Sequence, residues 1–121
     1  MDEGGGRVER FGSMSAHHEI WWADTGAPQT RRPFLILTRD PVAARLDNIV
    51  VAPLTTTDRG LSSHFAVGPG DGLKRHCWVN FDNVLTLDRR LLTNRVTALT
   101  PGRSREACEA MSYALGCGPP P

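Results

Sequence analysis

The sequence predicts a mainly β fold, a β-rich α+β domain in which a small antiparallel barrel carries one C-terminal helix. Three observations lead there. Five or six short apolar or β-branched runs lie between His17 and Leu99. Clusters of Gly, Pro and Asx separate them, as turns separate antiparallel strands. One segment alone, Pro101–Gly116, has helical periodicity with both a start and a stop signal.

Residues 1–16 contain three consecutive Gly, mixed charge and little apolar content. They are expected to be a disordered extension or an expression remnant, with Met14 suiting a natural start. His17–Asp24, HHEIWWAD, reads as a strand with Ile20 and Trp22 on one face and Glu19 and Trp21 on the other. Tandem Trp on opposite faces means that both faces are covered, and packing outranks base stacking as their role. In a regular strand His17 and His18 would point opposite ways, so no metal site is expected from them. Thr25–Arg31 is a loop. Phe34–Thr38 is apolar on both faces, as in a central strand. Asp40-Pro41 ends it, and PVAARL suits one helical turn. Ile49–Thr56 is the second central strand, with Pro53 marking a bulge or an edge near its end. Thr57–Leu61 turns, Ser62–Val67 is a strand, and Gly68–Gly72, including Asp71, is a turn and nothing more. His76–Leu87 reads as one long strand with Val79, Phe81 and Leu85 on one face and Trp78, Asn80 and Asp82 on the other. Asp88–Leu92 is a helical turn, and Asn94–Leu99 is the last strand. In the helix, Thr100 suits the N-cap, Pro101 the first position and Gly116 the stop. Ala107, Cys108, Met111, Ala114 and Leu115 form its apolar stripe. Residues 118–121 form a frayed tail, so the folded domain is expected over 17–117. The apolar surface exceeds what one helix covers, which predicts a homodimer.

A chain of 121 residues is one domain. The formal net charge of +1 excludes a global basic field. The cations are 13 Arg and one Lys, a bias that GC-rich codons explain more readily than phosphate binding does. Cys77, Cys108 and Cys117 are odd in number and lack ligand spacing, so free and mostly buried thiols are expected, without disulfide, metal or cofactor. No run has membrane-spanning length, and a cytoplasmic location is expected.

The chemically suggestive stretch is Arg32–Thr56. If its two strands pair antiparallel, Arg32 and Thr55 fall toward one edge of the hairpin. A fixed cation beside a hydroxyl suits a phosphate. Taken alone, Arg32 reads far more readily as an ordinary strand-start residue, and Thr55 as an ordinary strand-end threonine.

EIWWAD, RRPFLILTRD, NIVVAPLTTT and then GL with FDNV occur in an order and spacing that resemble the MazF/PemK toxins of bacterial toxin–antitoxin pairs, over about Glu19–Gly116. The Arg richness suits an actinobacterial member. The resemblance implies an SH3-like barrel dimer that cleaves single-stranded RNA without metal. In the implied reaction a ribose 2′-OH attacks the adjacent phosphate and leaves 2′,3′-cyclic phosphate and 5′-OH ends. By motif position Arg32 matches the catalytic arginine, Thr55 the phosphate-binding hydroxyl, and Asp82 an acid used as base in one branch. Asp82 suits equally a carboxylate bonded to its own turn. That branch has a basic residue where this chain has Asn80. A Glu found before the Arg-Pro in several members is also absent, and His17 or His18 is a substitute on sequence proximity alone. RNA contacts are expected from Gln29, Thr30, Arg31, Thr56, Thr57, Arg59 and Asn80, with Arg59 equally a solvated side chain and Arg89-Arg90 a solvated turn or antitoxin contact. The implied partners are a second copy, single-stranded RNA and a cognate MazE-like antitoxin. Two other readings exist: a non-enzymatic CcdB-like gyrase poison, although the Gly-Cys-Gly-Pro-Pro-Pro terminus lacks a bulky anchor, and a bare SH3-like binding module.

Overall fold

The computed structural model describes residues 17–26, 31–40, 43 and 45–118. The N-terminal extension, Gln29 and Thr30, half of the helical turn expected after Asp40, and the last three residues lie outside this set. Among the described residues seven strands and one α-helix follow in order: β1 Glu19–Asp24, β2 Arg31–Ile36, β3 Asn48–Thr55, β4 His64–Val67, β5 Cys77–Asn80, β6 Leu85–Asp88, β7 Leu92–Ala98 and α1 Pro101–Leu115. Every strand pairing is antiparallel. The path β4-β5-β3-β2-β1-β7, with β6 also on β3, makes one curled sheet, a half-barrel.

The curl follows from strand alternation. Trp21, Ala23, Phe34, Ile36, Ile49, Val51, Leu87 and Leu92 bury one face together with Ala43. Ile20, Leu35, Ala52 and Leu54 bury the other, with Phe65, Val67, Val79, Phe81 and Ala107. The central strands are therefore apolar on both sides because both sides face a core.

The long strand expected over His76–Leu87 is broken. Asn80 accepts the Asp82 N–H at 2.9 Å and caps a 3-10 turn over Phe81–Asn83. The break has a topological cause: β5 pairs with the far end of β3, at Leu54 and Thr55, whereas β6 pairs with its start, Asn48–Val51. The chain must turn a corner between them. Beyond it Leu87 is buried and Leu85 is exposed, against the expected facing.

Helix α1 has the expected ends. Thr100 Oγ1 accepts the Arg103 N–H, and Gly116 adopts φ 70°, donating back to Ser112 and Tyr113. Its inward face is Ala107, Ala110, Met111 and Ala114, an i, i+3, i+4, i+7 set. Leu115 falls off this stripe and is exposed, and Cys108 is only half-buried. The turn at Pro69–Asp71 does more than reverse the chain. Asp71 accepts the Gly68 N–H and an ion pair from Arg103 Nε at 2.9 Å. The Arg103 guanidinium also lies 4.4 Å from the Phe65 ring centroid and donates to Ala66 O, which ties the helix start to β4.

Candidate active site

The site is built by a fork between β2 and β3. Their ladder runs from Ile36↔Val51 to Phe34↔Pro53. Past this point β2 continues on β1, with Arg32 opposite Ala23, while β3 leaves with β5, with Thr55 opposite Trp78. Pro53 has no N–H to extend a ladder. Arg32 and Thr55 each lie two residues beyond the last β2–β3 pair, on the two diverging strands of the fork.

Alternation then separates the two adjacent arginines. Arg31 lies over the Trp22 ring at 5.1 Å and donates to Asn94 Oδ1 at 3.3 Å. Arg32, exposed on the opposite face, has no hydrogen bond or ion pair among the described residues. Its five donors are available to an anion. Thr55 Oγ1 accepts the Thr57 N–H at 3.2 Å. That bond uses an acceptor lone pair and leaves the O–H free to donate. A free guanidinium and a free hydroxyl donor can together hold a phosphodiester and the charge that builds on it.

A cleft of about 650 Å³ opens beside the fork on the Arg31 face, and Arg32 is not among its lining residues. Trp22 and Pro33 form one wall and Leu54, Thr55 and Thr56 the other. Gly72–Arg75, Cys77 and Val96 close it. Sequence reasoning missed Lys74, Arg75 and Val96 here. The one available signal was that the sole Lys sits beside an Arg just after a Gly-Asp-Gly turn.

The remaining expected residues lie apart from this corner. Asp82 accepts the Ser63 hydroxyl at 2.5 Å and belongs to the 3-10 turn, four residues beyond the Thr55 partner Trp78. The Asn80 side chain is held by the same turn. Thr57 and Arg59 are exposed in the loop after β3, where Asp58 accepts the Gly60 N–H. His17 and His18 sit at the other end of β1, roughly 16 Å along the strand from the Arg32 level. They are not in a regular strand. His18 has φ 60°, and the two rings stack with centroids 3.7 Å apart, which corrects the expectation that they diverge. Burial first, and the neighbouring His17 second, lower the His18 pKa to about 4, against the raising effect of Asp40. Neither His reaches the fork.

The cysteines are free, but Cys77 and Cys108 are only half-buried and Cys117 is exposed, contrary to the expected burial. No group of three His, Cys, Asp or Glu able to hold a metal occurs among the described residues. No helix among them is long and apolar enough to cross a membrane.

Comparison with known proteins agrees with this fold. Residues 16–115 match the family model of PemK-like, MazF-like toxins of type II toxin–antitoxin systems. The chain is 44% identical over 100 residues to a probable endoribonuclease MazF2 of Mycobacterium tuberculosis, covering 82% of this chain and 96% of that one. Among solved structures it is similar to the M. tuberculosis toxin MazF-mt6, with a TM-score of 0.74 and 33% identity over 83% of this chain and 98% of that one. It is also similar to a mycobacterial endoribonuclease solved with its cognate antitoxin, with a TM-score of 0.74 and 28% identity over 86% and 97% of the two chains. A family model matched over residues 16–115 and a relative 44% identical over 100 residues lead to one assignment: the chain belongs to the PemK/MazF family of toxins of type II toxin–antitoxin systems.

Proposed function

We infer that the protein is the toxin of such a pair and acts as an endoribonuclease on single-stranded RNA. The observation that carries this is the β2–β3 fork bearing Arg32 and Thr55, with a guanidinium uncommitted among the described residues and a hydroxyl free to donate. Relatives named endoribonucleases support the reaction class.

The chemistry needs three things. A proton leaves the ribose 2′-OH, a proton reaches the departing 5′-oxygen, and the phosphorane's added charge is stabilised. Arg32 supplies the last through the paired N–H donors of its planar guanidinium. Thr55 donates to a non-bridging oxygen. The bond from Thr57 holds its hydroxyl oriented, so little is lost in ordering it. The Ser63 hydroxyl engages Asp82 in its own turn, which favours a structural role for that carboxylate. Thr56, Thr57 and Arg59 belong to the segment that follows β3 beside the fork, and they are assigned to RNA contact together with Gln29, Thr30 and Arg31. Asn80 has its side chain committed to a turn. The products are a 2′,3′-cyclic phosphate and a 5′-OH, and no metal takes part.

A second copy and a cognate antitoxin are the partners. The antitoxin complex of the similar mycobacterial endoribonuclease supports the second of these. The gyrase-poison alternative is not favoured, since the relatives named above are endoribonucleases.

The test is incubation of the purified chain with a mixed RNA pool in excess chelator, followed by end-group analysis. Cyclic-phosphate ends at a restricted set of sequences are expected. Intact RNA together with binding to gyrase would overturn the reading.

A further inference from the structure

Thr55 has a neighbour across the sheet on its own face. It pairs with Trp78 of β5, and Trp78 pairs with Ala66 of β4. Directly paired residues share a face, with Cβ atoms about 5 Å apart. The alternate residues Leu54, Val79 and Phe65 are buried on the other face. Thr55, Trp78 and Ala66 therefore form one row on the open side of β3, β5 and β4, where Trp78 is half-buried and Ala66 exposed. The same alternation, taken from the Phe34↔Pro53 pair, puts Arg32 on that side as well. The Trp78 indole is uncommitted. Trp21 Nε1 donates to Glu19 at 3.0 Å, and Trp22 lies under the Arg31 guanidinium. Trp78 makes no such bond or ring contact among the described residues, and its Nε1 is not a buried unpaired atom, so the N–H is open to the surface. Asn80, next on this face, has its Oδ1 committed to the Asp82 N–H.

We propose that Trp78 is a further catalytic residue of the cleavage reaction: its indole N–H donates to a non-bridging oxygen of the phosphate that Thr55 holds, and its ring shields that phosphate from water. The proposal rests on the ribonuclease reading and adds to it a third donor, on the side of Thr55 away from Arg32. As the 2′-oxygen bonds to phosphorus and the bond to the 5′-oxygen breaks, negative charge grows on the non-bridging oxygens, and a fixed donor there stabilises the transition state more than the ground state. An apolar ring beside the donors lowers the local dielectric and strengthens each of their hydrogen bonds. Indole nitrogen is a donor only. Trp78 therefore moves no proton, and the charge it serves must come from the substrate. Its place directly across from the Thr55 hydroxyl, rather than elsewhere on the sheet, is what ties it to the phosphate.

The experiment uses the full chain and compares wild type with Trp78→Phe, which keeps an aromatic ring and removes the N–H. Trp78→Leu, which also lacks a donor, serves if Trp78→Phe does not fold. Single-turnover cleavage is measured on an RNA with one mapped cut site, and affinity on the 2′-O-methyl form of the same RNA, which the chemistry above cannot cleave. Trp78→Phe is expected to slow cleavage at least about 10-fold, the worth of one hydrogen bond to a charged group. Affinity for the 2′-O-methyl RNA should stay within about 3-fold, since the donor acts in the transition state. The pH–rate profile should keep its shape, because no titrating group is removed. A third readout places the contact. Sulfur is a weak acceptor, so replacing the non-bridging oxygen that faces Trp78, in one of the two phosphorothioate diastereomers at the cut site, should slow wild type, and the slowing should be lost or reduced in Trp78→Phe. Cleavage by Trp78→Phe at the wild-type rate would overturn the assignment alone. So would a loss confined to affinity, which marks base stacking or other ground-state contact, and so would a changed oligomeric state in gel filtration, which marks packing against a second copy. Equal phosphorothioate effects in the two proteins would overturn the contact with the phosphate. Absence of cleavage by the wild-type chain would overturn the ribonuclease reading and this assignment with it.

Discussion

Asp71→Asn is the substitution that most sharply probes how the helix, the turn and the cleft depend on one another. The Asp71 carboxylate accepts from Arg103 Nε at 2.9 Å, from Arg103 Nη2 at 3.3 Å and from the Gly68 N–H at 3.0 Å. Its side chain is only 9% exposed, that of Arg103 31%. Burial alone would raise the Asp71 pKa, but the Arg103 and Gly68 hydrogen bonds and the Arg103 charge prevail and hold it below its usual value. Asparagine keeps an acceptor for Gly68 and loses the charge. A charge-assisted bond of this kind contributes about 1.5–3 kcal/mol, and partial exposure of the guanidinium argues for the lower half, so about 2 kcal/mol is expected. For a domain of this size that corresponds to a Tm lower by roughly 10 °C. Urea denaturation at pH 7 and fixed protein concentration should show a lower midpoint with an unchanged m-value. A double-mutant cycle with Arg103→Met should return a coupling of about 1–2 kcal/mol. The sign of the pH dependence is also determined. A carboxyl with a depressed folded pKa stabilises above its unfolded pKa and loses that contribution as pH falls through the folded value. The gap between wild type and Asp71→Asn should therefore close in acid. A cost below about 0.5 kcal/mol at pH 7, or an additive cycle, would refute the assignment of this ion pair as the clamp on the turn.

Two further outcomes follow from the backbone. Gly72 has φ 96°, and a Cβ there would come within 2.4 Å of Thr97 Oγ1, so Gly72→Ala should cost about 1–3 kcal/mol in urea melts. Gly70, with nothing within 4 Å of the same position, should accept Ala without comparable loss. His18 is 2% exposed, its Nδ1 lacks a hydrogen-bond partner, and its pKa falls from 6.5 to about 4. As pH falls from 6.5 to 4 the unfolded chain takes up a proton that the folded chain refuses, so stability should drop by about 3 kcal/mol. His18→Asn, which tolerates the positive φ and does not titrate, should flatten that part of the pH–stability profile. Parallel profiles for the two proteins would contradict the assignment.

Much of the frame was legible because it rests on local rules. Thr100, Pro101 and Gly116 mark the helix ends by capping chemistry that needs no tertiary context. The two-sided apolar pattern of Phe34–Ile36 and Ile49–Leu54 reports strands with a core on each face. Arg32 and Thr55 could be paired because antiparallel register follows from the hairpin. The errors arise where a distant residue decides. Nothing local says that the strand after His76 must break at Asn80, since the break exists to move the chain from one end of β3 to the other. Leu115 continues the apolar composition of the helix but lies off the inward stripe. Asp71 looked like a turn residue because Arg103, its partner, is 32 positions away. Lys74 and Arg75 become cleft residues only when the turn at Pro69–Asp71 folds back against β7.

The central claim is that Arg32 and Thr55 together hold and stabilise the reacting phosphate. It is tested most directly by single-turnover cleavage of an RNA containing a mapped cut site, comparing wild type with Arg32→Ala and Thr55→Val at matched folding by circular dichroism and Tm. Each substitution removes a donor aimed at developing charge and should slow cleavage about 100-fold or more. The double variant should be slowed less than the product of the two, since both act on one phosphate. Both single variants cutting at the wild-type rate, with the same ends, would contradict the account.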